Sequence, residues 1–227
     1  MADYSARFYE NHARRYSEVT HALLQSVYIK SSHPAVRTDL DLLKRLKELV
    51  PGKRGLDAGC GAGARDVYSF WASGFDIHGI DVVKENIRTA QELHPEITDR
   101  VTVADLAKPL PYDDASFDFV MCNAVIQHIP PEVVERTTLP ELARVIRKGG
   151  ILQLIFKNGA GIMTIYDRDY SAERSFQLYD EHRVLAILKR HNMELVEESS
   201  REKPGGIMYF TDPKPVDHCV FYARKMS

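Results

Sequence analysis

The chain has 227 residues, 44% hydrophobic and 27% charged, which suits one globular domain, or one domain with a small appendage. With 30 basic and 32 acidic residues the net charge is -2, which excludes the broad cationic excess of a nucleic-acid binder. The three scattered cysteines, Cys60, Cys122 and Cys219, make neither a disulfide framework nor a metal-ligand cluster, and a reducing, cytoplasmic setting is expected. No apolar run approaches the ~18 residues that span a bilayer, so no membrane partner is expected. The start, Met-Ala-Asp-Tyr-Ser-Ala-Arg, lacks the apolar core of a secretory signal.

Residues 4–30 read as helical and aromatic, with Tyr9, His12 and Tyr16 on one face at i, i+3, i+7. Ser31-Ser32-His33-Pro34 breaks the segment. Leu42, Leu43, Leu46 and Leu49 then mark an amphipathic helix that Pro51-Gly52 ends. Residues 1–50 are therefore expected to form a helical cap and lead-in helix. Residues 51–227 are expected to form the main domain, the whole being one globular unit.

From there strand and helix signals alternate. Leu56-Asp57-Ala58 is a short strand that runs into Gly59-Cys60-Gly61-Ala62-Gly63, and Ala64 to Ser73 can form a helix. Phe75 to Ile80 is a second strand ending in Asp81, and Lys84 to His94 a helix stopped by Pro95. Val101 to Ala104 is a third strand ending in Asp105, and Phe117 to Cys122 a fourth followed by Asn123. Pro131–Val134 and Pro140–Ile146 read as two short helices, because Pro suits a first turn better than an interior. Gly149-Gly150 is a turn before a fifth strand, Ile151 to Phe156. The alternation predicts an α/β fold with a doubly wound, seven-stranded, mostly parallel sheet and helices on both faces. Residues 157–179 lack periodicity and read as a mobile loop. Val184, Ile187 and Leu188 give a helix face, with Asn192 a left-handed cap. Met193–Val196 and Val216–Ala223 are strands flanking a long loop, and they suggest an antiparallel pair at the sheet edge.

Ligands of such sheets lie beyond the carboxyl ends of the strands. Asp57, Asp81, Asp105 and Asn123 all stand there. Asp81 follows Gly63 by 18 residues, close to the ~20 at which an acidic residue meets a ribose in dinucleotide folds. Val82 can lie against an adenine, and Asp105-Leu106 can accept from an exocyclic amine while lining the ring. Asp57 disfavours a phosphate at the glycine loop and favours a cationic or hydroxyl-rich ligand. His128, after the fourth strand, is a candidate general base or a pocket-wall residue.

These motifs together resemble a class I S-adenosylmethionine-dependent methyltransferase. Gly55 to Gly63 is similar to the family's first motif, although Gly55 replaces a larger apolar residue. Asp81 matches the acidic residue after the second strand. Asp105-Leu106 with Leu110-Pro111-Tyr112 resembles the adenine loop. Ser116 to Val120 is similar to the fourth-strand motif, and Arg147 to Gly150 matches the turn before the fifth strand. The resemblance implies a Rossmann-like fold, an antiparallel last strand and S-adenosylmethionine as cofactor. It implies in-line methyl transfer to an O, N or C nucleophile of a small molecule, without metal. Tyr9, Tyr16, Asp57, Ala58, Gly59, Cys60, Gly61, Gly63, Asp81, Val82, Asp105, Leu106, Asn123 and Ala124 are the implied cofactor contacts. Tyr166, Arg168 and Tyr170 are candidate substrate contacts.

Three rivals stand beside this reading. A dinucleotide oxidoreductase prefers Gly-x-Gly-x-x-Gly, whereas Gly59, Gly61 and Gly63 are two apart. A protein or RNA methyltransferase, and a non-catalytic cofactor-binding partner subunit, remain as alternatives; Asn123-Ala124-Val125-Ile126 does not resemble the Asn/Asp-Pro-Pro-aromatic run of amino-methylating nucleic-acid enzymes. A monomer or homodimer is expected.

Overall fold

The computed structural model describes residues 2–23 and 26–227. Helix α1 (Ala2–Leu23) is followed by a two-residue strand, β1 (Lys30–Ser31), and helix α2 (Asp39–Leu49). The α2 terminus is defined by a capping box in which the Asp41 carboxylate accepts from the Thr38 N–H at 2.9 Å. Four strands then alternate with helices: β2 (Arg54–Ala58), α3 (Arg65–Ala72), β3 (Asp76–Asp81), α4 (Lys84–Leu93), β4 (Val101–Val103) and β5 (Phe117–Asn123).

A helical stretch follows, in which α5 (Pro131–Val133) runs through a π turn (Val134–Thr138) into α6 (Leu139–Val145). The sequence predicts two separate pieces here. They are joined because the wider turn tolerates Pro140, which has no N–H for an α-helical bond. The chain continues with β6 (Ile146–Lys157), β7 (Ile162–Asp167), β8 (Ala172–Gln177), α7 (Glu181–Arg190), β9 (Met193–Leu195), β10 (Met208–Thr211) and β11 (Asp217–Lys225). Asn192 takes the left-handed conformation after α7, with φ of 60°.

The sheet runs β1-β10-β11-β6-β5-β2-β3-β4, with β9 also on β11. Strands β6, β5, β2, β3 and β4 are mutually parallel, and β11 is antiparallel to β6. The switch point lies between β2 and β5, where the chain reverses its direction of travel across the sheet. One apolar cluster on each side closes the layers. Leu56, Val120, Leu154 and Phe221 belong to one; Leu42, Leu46, Phe70, Phe119 and Tyr222 belong to the other. Helix α2 is thus part of the main core.

Three expectations change. The first helix ends at Leu23, and residues 28–31 instead join the sheet edge, where Tyr28 stacks on Phe210 at 4.0 Å; part of the expected span, Leu24 and Gln25, lies outside the described residues. The long loop before the last strand contains β10, whose Met208 and Phe210 are buried and alternate with more exposed neighbours. With β1 and β10 the sheet has nine strands rather than seven. Residues 157–179 are no loop: they hold the β7–β8 hairpin, with Met163 opposite Phe176 and Asp167 opposite Ala172. Its alternation is hidden in the sequence because the outer face carries Ile162 and Tyr166, which are exposed. Gly55 also has a packing reason. A Cβ there would overlap the Phe119 ring, which fills the space a larger side chain would take. No helix among the described residues is long and apolar enough to cross a membrane.

Candidate active site

Two adjoining cavities of about 220 and 230 Å3 open at the carboxyl edge of the parallel strands. The first lies over β3 and β4. Gly59, Gly61, Asp81, Val82, Asp105, Leu106, Asn123, Ala124 and His128 line it, with Tyr9 and Tyr16 of α1 as its roof. The second runs from Asp57 and Cys60 towards β6, β8 and β11. Tyr9, Tyr16, Gly59, Asn123 and Ala124 belong to both.

The glycine loop is shaped by what touches it. Gly59 has φ of 97° and Gly61 of 64°, both in the region that L side chains avoid. A Cβ at Gly59 would overlap Val125, and one at Gly61 would sit 3.0 Å from Tyr16 Cε1. The Gly59 and Cys60 N–H groups donate to the Ile80 carbonyl at 2.8 and 2.9 Å, tying the loop to β3. Ala124, a non-glycine residue at φ of 58°, turns the chain sharply after β5.

Asp81 is held from behind. Its Oδ2 accepts from the Gly61 N–H at 2.9 Å, and its Oδ1 from the Val83 N–H at 2.8 Å and Asn86 Nδ2 at 3.2 Å. Oδ1 thus has both its acceptor sites filled, and Oδ2 keeps one that an incoming donor can use. Burial raises its pKa, and these donors act against that. Val82, beside it, is 51% exposed, an apolar surface facing a cavity. Asp105 Oδ1 accepts from the Ala107 N–H at 2.9 Å, which fixes the next loop. Asn86 Oδ1, at the cavity margin, is buried and has no hydrogen-bond partner.

Asp57 lies within β2, buried at the junction with the second cavity. Burial pushes its carboxyl well above the usual range. Asp66 and Asp81 push the same way, and Arg65 opposes them. Arg65 is itself engaged by Asp66 at 2.8 Å and Asp39 at 3.4 Å. Asp57 therefore stands ready for a cation that the protein does not supply.

His128 is half-buried, with Nε2 3.2 Å from Tyr9 Oη. Arg174 donates to the same hydroxyl, so the phenol proton is directed at Nε2. Burial first, then Arg174 and Lys157, push the imidazole down to about 3, so it is neutral at physiological pH. A base so weak is a poor proton acceptor there. It lines the first cavity beside Tyr9.

The remaining expected residues divide. Cys60 and Tyr170 line the second cavity. Ala58 is buried in the sheet core, and Gly63 abuts Ser17 of α1. Neither lines a cavity. Tyr166, 62% exposed, and Arg168 lie on the outside of the hairpin, away from both cavities. Tyr166 points outward because residue parity in β7 sends Ile165 and Asp167 inward, and Arg168 is an exposed residue of the turn that follows.

The second cavity holds residues that the sequence did not single out. Arg174 donates to Asp167 at 2.9 Å and sits over the rings of Phe8, Tyr9, Tyr170 and Phe176 at 4.9 to 5.3 Å. Each such face contributes about 0.5–2 kcal/mol. Lys214 closes the same cluster, 2.8 Å from Asp167 and 2.7 Å from Asp169. Gln127, Gln153, Lys157 and His218 complete the wall. One signal was available: Gln153 and Lys157 share one face of an otherwise apolar strand.

Residues 56–154 match the family described as a methyltransferase domain. This segment, a little under half of the chain, is thus similar to a methyltransferase domain. Over 108 residues it is 36% identical to 2-methyl-6-phytyl-1,4-hydroquinone methyltransferase of Synechocystis, covering 47% of this chain and 33% of that protein. Among solved structures, the domain is similar to 1,6-didemethyltoxoflavin-N1-methyltransferase of Burkholderia thailandensis, with a TM-score of 0.64, 19% identity and coverage of 99% and 90% of the two chains. The [4+2]-cyclase SpnF gives a TM-score of 0.67 at 18% identity, covering 98% and 95%. These two likenesses carry the fold alone, and SpnF, named for a cyclisation, shows why the reaction must be argued from the site. The chain spans about a third to a half of the length of the curated relatives it matches. The matched segment occupies the parallel half of the sheet and carries the whole glycine loop.

Proposed function

We propose that the chain is an S-adenosylmethionine-dependent methyltransferase that transfers a methyl group to an O, N or C nucleophile of a small molecule. The observation that carries this reading is the run of acceptors at successive strands, Asp57, Asp81 and Asp105, around a glycine loop, beside a first cavity that no Lys or Arg lines. The residues present fit the cofactor. Asp57 would balance its cationic amino-acid end, and the backbone of Gly59 and Gly61 would cradle that part. Asp81 would accept from a ribose hydroxyl, Val82 and Leu106 would cover the adenine, and Asp105 would accept from its amine. Asn123 and Ala124 form the floor.

When bound, S-adenosylmethionine supplies an electrophilic methyl on a sulfonium. The protein's part is alignment: a second cavity meets the first at Tyr9, Tyr16, Gly59, Asn123 and Ala124, so an acceptor there faces the donor. Positioning of this kind contributes ~7–11 kcal/mol to a two-reactant step. The half-buried aromatic roof of Tyr9 and Tyr16 would limit the access of water. We place His128 in that roof rather than in proton transfer. An acceptor cavity of about 230 Å3 supports a small molecule over a polymer. A cytoplasmic monomer or homodimer fits this reading.

The test is twofold. Thermal shift should rise with S-adenosylmethionine and S-adenosylhomocysteine and stay unchanged with NAD. Labelled methyl should then pass to a component of a metabolite extract. Stabilisation by NAD alone would reject the cofactor assignment, and binding with no transfer across extracts would favour a non-catalytic subunit.

A further inference from the structure

The floor of the second cavity holds a buried cation that is in ion-pair contact with no carboxylate among the described residues. Lys157, the last residue of β6, is 6% exposed and lines the cavity. Its Nζ lies 3.2 Å from His218 Nε2 and 4.5 Å from the Phe176 ring centroid. His218 Nδ1 faces the Val216 carbonyl at 3.0 Å, so Nδ1 carries the proton and Nε2 accepts from the ammonium. That uses one of three ammonium donors. Among the described residues Lys157 has no other hydrogen-bond partner and no ion pair.

The nearby acids are already engaged. Asp167 is held by Arg174 and Lys214, and Asp169 by Lys214. Asp212 Oδ1 accepts from the N–H groups of Lys214 and Val216 at 2.9 and 3.0 Å, and its Oδ2 stays 4.0 Å from His218. Buried cations are normally paired, because removal from water without a counter-charge is costly. Desolvation pulls its pKa down to about 8, with Asp212 and Asp167 opposing and Arg174 and Lys214 adding to the fall, which leaves it mostly charged at neutral pH. The same wall carries two buried amide oxygens without partners, Gln127 Oε1 and Gln153 Oε1, and the Tyr170 hydroxyl is also without one. Gln127 is 3% exposed and Gln153 0%.

We infer that Lys157, backed by His218, is the subsite for an anionic oxygen of the methyl acceptor, a carboxylate or an ionised hydroxyl, on a compact aromatic molecule that also donates hydrogen bonds to Gln127 and Gln153. Phe176, Tyr170 and Phe210 line the same cavity and suit a planar ring. The inference rests on the methyltransferase reading and deepens it.

The experiment measures calorimetric binding of four probes to the full chain saturated with S-adenosylhomocysteine. Benzoate and 4-nitrophenolate are the anions; benzamide and nitrobenzene are their neutral counterparts. At least one anion should bind at least about tenfold more tightly than its counterpart, and the pair that does so separates carboxylate from hydroxyl. Lys157→Met should abolish the preference, and Lys157→Arg should keep most of it, while both bind S-adenosylhomocysteine as the unaltered chain does. Equal binding of anions and neutral probes, or no binding of either anion, overturns the inference, as does a preference that survives Lys157→Met. Failure to bind S-adenosylhomocysteine would instead overturn the underlying function.

Discussion

The Gly61 N–H donates to the Asp81 carboxylate at 2.9 Å, so the glycine loop and the end of β3 are one hydrogen-bonded unit. Removing Asp81 would delete the ribose acceptor and also leave a loop N–H unpaired. Asp81→Ala should therefore weaken S-adenosylhomocysteine binding at least about tenfold, since bonds to a charged group contribute roughly 1.5–3 kcal/mol each. Calorimetry decides it, and a change within about twofold would remove the ribose assignment. Gly59→Ala should be worse for folding, because a side chain there combines a disfavoured backbone, roughly 1–3 kcal/mol, with overlap on Val125.

Asp57 gives a signed prediction. Burial and Asp66 raise its folded pKa, so the ligand-free folded chain holds a proton that the unfolded chain releases. Its contribution to stability is present below the usual carboxylate range and fades as pH rises through the raised value. Asp57→Asn should thus melt above the unaltered protein at neutral pH without ligand. A cationic ligand reverses the balance by favouring the carboxylate. Titration of S-adenosylmethionine in buffers of different ionisation enthalpy should show proton release that Asp57→Asn lacks.

His128 should stay silent where a histidine usually titrates. With its pKa pushed down to about 3, its ring signals should not shift between the ordinary histidine value and mild acid. The folded imidazole is neutral while the unfolded one charges near 6.5, so this group removes stability as pH falls below that value. His128→Gln should flatten that slope and keep most of the transfer rate. A His128 signal titrating near neutrality, or a rate loss of about a hundredfold with a shifted pH profile, would restore the general base.

Lys157 should cost stability. A folded value of about 8 against the ordinary 10.5 corresponds to roughly 3 kcal/mol at pH 7 for this largely buried group. The penalty lifts as pH rises from the folded towards the unfolded value, since the unfolded chain holds the proton longer. In urea unfolding, Lys157→Met should exceed the unaltered chain by an amount of that order at neutral pH, and the gap should close in alkali. A destabilised Met variant at neutral pH would mean that the ammonium is already well compensated.

How far the sequence speaks depends on locality. The strands at Leu56, Ile80, Val120 and Leu154, and the acids at their ends, follow from short-range pattern and connection rules. The β7–β8 hairpin and β10 did not, because Ile162 and Tyr166 place apolar residues outward and β10 spans only four residues. Pocket polarity was harder still. Lys157, Arg174, Lys214 and His218 come from β6, β8, a loop and β11, and only the long-range pairing of β6 with β11 brings Lys157 beside His218. Tyr166, adjacent in sequence to real cavity residues, points away because parity in the hairpin is fixed by its register, and Arg168 lies in the exposed turn that follows β7.

Tyr9 and Tyr16 belong to both cavities, and both sit on one helix pinned at Arg174 and His128. One helix therefore serves as a wall for donor and acceptor alike. Thermodynamic linkage then requires reciprocity: whatever factor S-adenosylhomocysteine adds to the affinity of an acceptor, that acceptor returns to S-adenosylhomocysteine. Loosening the pin, as in Arg174→Met, should shrink that shared factor towards one while each ligand, alone, loses less.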